Sequence, residues 1–272
     1  MKLYLMTDLE GVAGVLNVQD WCEPTGRYYE KAKRLLTLEV NAAVEGFFEA
    51  GASSIIVLDG HGWGAIDAEL LDERVELGRG WPQGYPLLLD ATFDAVAFVG
   101  QHAKAGTPYA HLPHTGNAGV LDLSINDLSI GEFGEIVLCA SELGVRTIFA
   151  SGDLAFTREA QDLLPGIEIV AVKRGTTPWT CDDVAENEYH ARTSAAIHLH
   201  PAQARRAIRQ GARRAIERAR GEDFGIRKLP SPYRLVRRKR PRNPGDAAPP
   251  TTVAEHPTSV AGVLNAPEKP MP

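Results

Sequence analysis

Carboxylates and imidazoles recur in this chain at short spacings just after apolar runs. Asp8 and Glu10 stand two apart, as do Asp59 and His61, while His102 and Glu132 follow later apolar segments. Residues two apart on an extended backbone share a side. If the first run continues through them, Asp8 and Glu10 become neighbours, and two carboxylates that close repel unless a proton or a cation sits between them. Gly60 and Gly62 on either side of His61 let the backbone approach an ion or a substrate. Asp8, Glu10, His61, His102 and Glu132 suffice for two zinc-like ions if Asp8 bridges, with positions left for water. Such an open set without thiols is catalytic rather than structural, and its carboxylates suit Mn or Co as well as Zn.

Each signal alone has a plainer reading. Asp-x-Glu after a strand is commonly a solvated turn, a histidine there is commonly a hydrogen-bonded loop residue, and an acid such as Glu132 is favoured in a first helical turn by the helix dipole. What singles these residues out is their recurrence at successive strand ends. The segment His111-Leu-Pro-His114-Thr-Gly-Asn-Ala-Gly119 adds a loop with two imidazoles. Their ordinary pKa near neutrality suits a general acid or base; His111 and His114 both fit, and so does an incidental surface loop.

The elements that must position these groups follow from periodicity. Apolar runs at 2–7, 54–58, 95–99, 145–150 and 167–172 read as buried strands, and the spacing predicts helices over 28–50, 132–143 and 201–220. Period-two alternation about Asn126-Asp127 reads as a hairpin. The pattern predicts an α/β fold, a mostly parallel sheet flanked by helices, with a smaller α+β C-terminal part. Ligands of such sheets bind outside the carboxyl ends of the strands, where the acids and histidines collect. Two parts are expected: residues 1–220 as the core, and 221–272 as a basic strand followed by an extended proline-rich tail, docked on the core or on a neighbouring subunit.

Composition removes several classes. The 272 residues are 44% hydrophobic and 24% charged, ordinary for a globular protein and unlike collagen, coiled coils or disordered chains. Three cysteines without CxxC spacing indicate neither a disulfide framework nor a zinc finger, so a reducing, cytoplasmic setting is expected. No apolar run approaches the roughly 20 residues of a membrane helix. Asp8 and Glu10 interrupt the apolar start before a secretory signal can form. The net charge of −6 hides a split: residues 205–242 hold 15 Lys or Arg against three acids, a local +12. Nucleic-acid binding by this stretch is the rival class. However, its arginines fall at helical spacing beside an alanine-rich face, and only Phe224 and Tyr233 could stack on bases. Neither nucleic acid nor membrane is therefore the expected partner, and the stretch is expected to meet acidic surface on a neighbouring subunit.

Taken together, Lys2-Leu-Tyr-Leu-Met-Thr-Asp-Leu-Glu-Gly-Val-Ala-Gly14, Asp59-Gly-His61, Gly100-Gln-His-Ala-Lys-Ala-Gly-Thr-Pro108, Pro113-His-Thr115, Ile125-Asn-Asp with Gly131-Glu132, and Ser151-Gly-Asp153 resemble the DppA-type D-aminopeptidases, a family of binuclear zinc metallopeptidases. The blocks occur in family order across roughly residues 1 to 220. The resemblance implies two Zn ions per subunit, with Asp8 shared, Glu10 and His61 completing one site, and His102 and Glu132 completing the other. It implies His114 as the catalytic residue and Asp59 as a nearby carboxylate orienting His61. The implied activity is release of an N-terminal D-residue, chiefly D-alanine, from a small peptide substrate or amide; the alternative is a two-metal amidase or esterase. The implied assembly is a homo-oligomer, a decameric ring. The chain departs from the family pattern in a longer loop carrying the extra His111, and in the region after Gly221.

Overall fold

The computed structural model describes residues 1–271. The first half runs β1 (Lys2–Thr7), α1 (Val18–Trp21), α2 (Tyr29–Glu49), β2 (Ser54–Asp59), β3 (Glu76–Gly78), β4 (Ala95–Gln101) and the hairpin β5 (Val120–Ile125) to β6 (Leu128–Ser129). The second half runs α3 (Glu132–Leu143), β7 (Arg146–Asp153), α4 (Leu154–Leu163), β8 (Glu168–Gly175), α5 (Glu186–Arg192), β9 (Ala196–His198) and α6 (Pro201–Ala219). It closes with β10 (Tyr233–Lys239), β11 (Thr252–His256), α7 (Val260–Asn265) and β12 (Lys269–Pro270).

The larger sheet has the order β3-β2-β1-β4-β7-β8-β9, parallel throughout except for the antiparallel edge strand β9. Its strands are apolar on both faces because helices cover both. Leu3 and Leu5 of β1 face α2 and α6, whereas Tyr4 and Met6 face α3 and α4. The chain moves outward from β1 to β2, then crosses back to place β4 on the other side of β1. The sheet's direction of growth therefore reverses between β1 and β4. There the backbones nearly touch: Gly100 sits at φ +79°, and a Cβ on it would stand 2.1 Å from the carbonyl oxygen of Asp8, a position only glycine fits.

A five-stranded sheet of order β12-β11-β10-β5-β6 packs on the opposite side of α3. A helix held between two sheets must be apolar nearly all round. Accordingly, Phe133, Ile136, Val137 and Ala140 enter one core while Leu138 and Cys139 enter the other. β10 pairs antiparallel with β5, Leu235 opposite Ile125, so residues after 220 complete a sheet that begins in the middle of the chain. The residues after Pro241, read from their prolines as extended, include β11, α7 and β12. α7 forms because Ser259 caps it, its Oγ accepting from the Gly262 amide at 3.0 Å.

Part of the basic stretch finds acids within its own chain. Arg214 meets Glu168 at 2.7 Å, Arg218 meets Glu222 at 2.7 Å, Arg238 meets Asp122 at 3.5 Å, and Arg209 pairs with Glu49. Arg240 is buried, its guanidinium 3.8 Å from the ring centre of Tyr189. Arg209, Arg214 and Arg218 lie on α6, where Glu49 of α2 and Glu168 of β8, remote in sequence, are among their partners; Arg238 lies on β10 and pairs with Asp122 of β5.

Candidate metal centre

Asp8 and Glu10 follow β1, and His102 follows β4, so they flank the point where the sheet reverses. Open parallel sheets form their ligand crevice at such a point. Strand β1 ends at Thr7, and Asp8 to Glu10 belong to the turn beyond it. The two carboxylates therefore converge because the turn folds them onto His61, with Leu9 between them buried in the opposite core, not because an extended strand continues.

Two groups of three form there. Asp8, Glu10 and His61 offer ligand atoms that all lie within 4.8 Å of one another, and so do His102, His114 and Glu132. His61 Nδ1 lies 3.4 Å from Asp8 Oδ1 and 3.2 Å from Glu10 Oε2. His102 Nε2 lies 3.0 Å from Asp8 Oδ2 and 3.6 Å from Glu132 Oε1. Asp8 thus presents one oxygen to each group. Its aim is fixed by the Leu9 amide, which donates to Oδ1 at 2.8 Å, and by Gln101 Nε2, which donates to Oδ2 at 3.0 Å.

Each imidazole is pinned by a backbone carbonyl. His61 Nε2 is 2.8 Å from Cys22 O, His102 Nδ1 is 2.9 Å from Ala103 O, and His114 Nδ1 is 3.0 Å from Leu112 O. A carbonyl only accepts, so a proton sits on the pinned nitrogen, and the nitrogen facing the centre is the one whose lone pair a metal would take in place of a proton. Buried Glu10 Oε2 and His102 Nε2 have no hydrogen-bond partner among the described residues, an expensive arrangement unless a cation satisfies them. Carboxylate oxygens with imidazole nitrogens are the donor set of zinc and its neighbours. The residues fit a divalent metal.

The electrostatics agree. Burial opposes charge on His61, but Glu10 and Asp8 override it and push the ring up to about 12. Burial likewise opposes charge on His102, yet Glu132 and Asp8 hold it well above its ordinary value. Burial disfavours ionised Glu10, and His61 reverses that, drawing it well below the usual carboxylate range. Glu10 and Glu132 hold their charge and demand positive charge beside them.

His114 belongs to the second group. Its ring stacks on His102 with centroids 3.8 Å apart, and its Nε2 is 3.8 Å from Glu132 Oε1. The other histidine of that loop, His111, is fully buried elsewhere: its Nε2 meets Leu16 O at 3.1 Å, and burial depresses it to about 2. Asp59, expected to orient His61, turns to its own loop, accepting from the Ala65 amide at 2.9 Å and the Ile66 amide at 3.3 Å. The Cys22 carbonyl holds His61 instead. Nothing in a sequence marks a backbone carbonyl for that task.

Beneath the ligand turn lies a buried cation that sequence reasoning passed over. Lys173 Nζ donates to the carbonyls of Glu10, Val12 and Val15, the last two at 3.0 and 3.4 Å. Glu39 Oε1 accepts from the Ala13 amide at 3.0 Å. Lys173 ends an apolar strand and Glu39 interrupts the apolar face of α2, the pattern of a charge placed in a core for a partner.

Both groups open into a cavity of about 580 Å³, lined also by Trp63, Trp81, Tyr85, Glu135, His190 and Arg237. His190 stands edge-on to His114 with centroids 5.5 Å apart, and burial lowers it to about 4. Tyr85 donates to Glu135 Oε2 at 2.7 Å. None of these belongs to a spacing motif, because they come from separate loops, from α3 and α5, and from the second sheet.

A family model, D-aminopeptidase, matches residues 1–247. A relative, the D-aminopeptidase of Bacillus subtilis (strain 168), is 30% identical over 177 residues, which span 64% of this chain and 64% of the relative's length. The fold is similar to that of a solved structure, the Zn-dependent D-aminopeptidase DppA from Bacillus subtilis, a self-compartmentalizing protease. The TM-score is 0.82 at 23% identity, covering 97% of this chain and 95% of that one.

Proposed function

The chain belongs to the D-aminopeptidase family, and from that membership we propose that it is a zinc-dependent aminopeptidase releasing N-terminal D-residues, D-alanine among them, from short peptides or amides. The observation that carries this reading is the division of Asp8, one oxygen toward His61 and one toward His102. Asp8, Glu10 and His61 would hold one ion, and Asp8, His102 and Glu132 a second. Zinc is the proposed metal, as in the solved relative; Mn and Co suit the same donors. When bound, the metal supplies Lewis-acid polarisation of the scissile carbonyl and a water of lowered pKa.

With Asp8 serving both groups, His114 need not be a ligand. Its Nδ1 is committed to Leu112 O, so Nε2 is the nitrogen that takes and returns a proton. It stands beside Glu132 at the cavity wall, within the group where water is to be activated. A homo-oligomer, a decameric ring in the cytoplasm, remains part of the proposal, supported by the self-compartmentalizing relative.

Turnover tests the reading directly. D-alanine amide should be hydrolysed faster than L-alanine amide, and a chelator should abolish the reaction. Faster turnover of the L-isomer, or hydrolysis indifferent to chelation, overturns it in favour of another amidase or esterase activity.

A further inference from the structure

The cavity contains one charge that the metal centre does not use. Among its described lining residues Arg237 is the one Lys or Arg; the others that carry charge are carboxylates and histidines. Its place follows from strand alternation. Tyr233 and Leu235 of β10 are buried in the core of the second sheet, and Arg237 is next on that face. The apolar face runs out there, and the guanidinium emerges into the cavity instead of bulk solvent.

The guanidinium is tethered from behind. Arg237 Nε donates to Glu268 Oε1 at 2.8 Å, and the other Glu268 oxygen accepts from Thr252 Oγ1. Its two Nη nitrogens make no hydrogen bond among the described residues. An arginine clamped through Nε with both Nη free presents the planar fork that pairs with a carboxylate. Along α3, Glu135 comes three residues after Glu132, about 4.5 Å further along the axis, and it lines the same cavity as Arg237. Asp8, Glu10, His61 and Glu132 line with Arg237 one cavity of about 580 Å³, room for a few residues of extended chain at about 3.5 Å each.

We infer that Arg237 receives the C-terminal carboxylate of a short peptide whose amino end lies at the metal centre, so that the preferred substrates are free peptides of two or three residues, not C-terminal amides or long chains. This rests on the aminopeptidase reading above.

The test compares kcat and KM of the zinc-loaded full chain on D-alanyl-D-alanine and tri-D-alanine with those on the same peptides carrying a C-terminal amide. Wild type should favour the free acids by at least about tenfold in kcat/KM, the worth of one charge-assisted hydrogen bond, with the difference in KM. Arg237→Gln should bring the acid-to-amide ratio close to one, and Arg237→Lys should restore part of it. A merely structural Arg237 would lower acids and amides alike and leave the ratio as in wild type, which overturns the assignment, as does a wild-type ratio of one with chelator-sensitive turnover. Absence of chelator-sensitive turnover on every D-alanyl compound overturns the aminopeptidase reading itself, and this assignment with it.

Discussion

Asp8 follows β1 and His102 follows β4, yet Asp8 Oδ2 and His102 Nε2 lie 3.0 Å apart across the line where the sheet changes its direction of growth. Strands β1 and β4 are neighbours only because the chain crosses back over β1 after β2 and β3. A contact between residues 94 positions apart is thus made by topology, and Asp8, pinned by Leu9 and Gln101, becomes the one carboxylate shared by both halves of the centre.

Replacing Asp8 should therefore cost more metal than replacing any other ligand. Asp8→Asn keeps the shape and removes the charge on which both groups draw. Metal analysis after dialysis should show both equivalents lost, whereas Glu10→Gln and Glu132→Gln should each spare one. Affinity should fall by more than about 100-fold, beyond what outer partners of a metal site command. Retention of one full equivalent by Asp8→Asn would contradict a shared carboxylate.

His114→Ala separates proton transfer from metal holding. Zinc content should stay near that of wild type while kcat falls about 10²- to 10⁴-fold, the range of a general acid or base. A variant that loses half its metal would make His114 a ligand instead.

Gly100 is a structural control on the same contact. In Gly100→Ala the new methyl meets the Asp8 carbonyl, which stands 2.1 Å from its position, at φ +79°. Thermal melts should show a loss of about 2–4 kcal/mol, and the displaced Asp8 should lower metal affinity in the same variant. A melt matching wild type would mean that the strands part freely.

Lys173→Met removes the cation under the ligand turn and leaves three carbonyls facing a methyl group. Breaking such a buried charged network costs about 3 kcal/mol. Zinc affinity should drop by about tenfold although Lys173 touches no ligand side chain. Competition with a chromophoric chelator reads the second effect, and unfolding in urea the first; an unchanged zinc affinity would show that the turn holds its shape unaided.

His111 gives the acid limb of stability its sign. Burial holds it neutral, down to about 2 in the folded chain, while the unfolded chain takes up the proton near 6.5. Between those values the unfolded state binds more protons, so stability falls as pH drops below about 6.5. In His111→Gln that contribution is absent. The stability gap between wild type and variant should shift against wild type by about 2 kcal/mol from pH 7 to pH 4.5, measured by urea titration at each pH. A gap independent of pH would place a proton-accepting partner at His111.

Much of this architecture was legible in the sequence because its strands and helices announce themselves. Continuous apolar runs gave β1, β2, β4, β7 and β8, and 3.6-residue spacing gave α2, α3 and α6, each close to its observed bounds. The residues at those strand ends come together as expected. What stayed hidden was set by contacts remote in sequence. β3 and β9 are three residues each, too short for any period. α4 buries Ala155, Phe156, Ala160 and Leu163 beneath a run dominated by Thr, Arg, Glu and Gln. The basic stretch showed its charge but not its partners, and Arg237 looked no different from Arg234 or Arg238 until β10 gave it a face.

The pairing of β10 with β5 also sets a clock on the ribosome. A nascent chain that has reached residue 220 already holds Asp8, Glu10, His61, His102, His114 and Glu132, yet β5 still lacks its partner β10. Arg237 and Leu264, which close one side of the cavity, have not been made. Synthesis from the N-terminus thus delivers the metal-ligating side chains first and this wall of the cavity later, so the cavity takes its full shape only after Leu264 has been made.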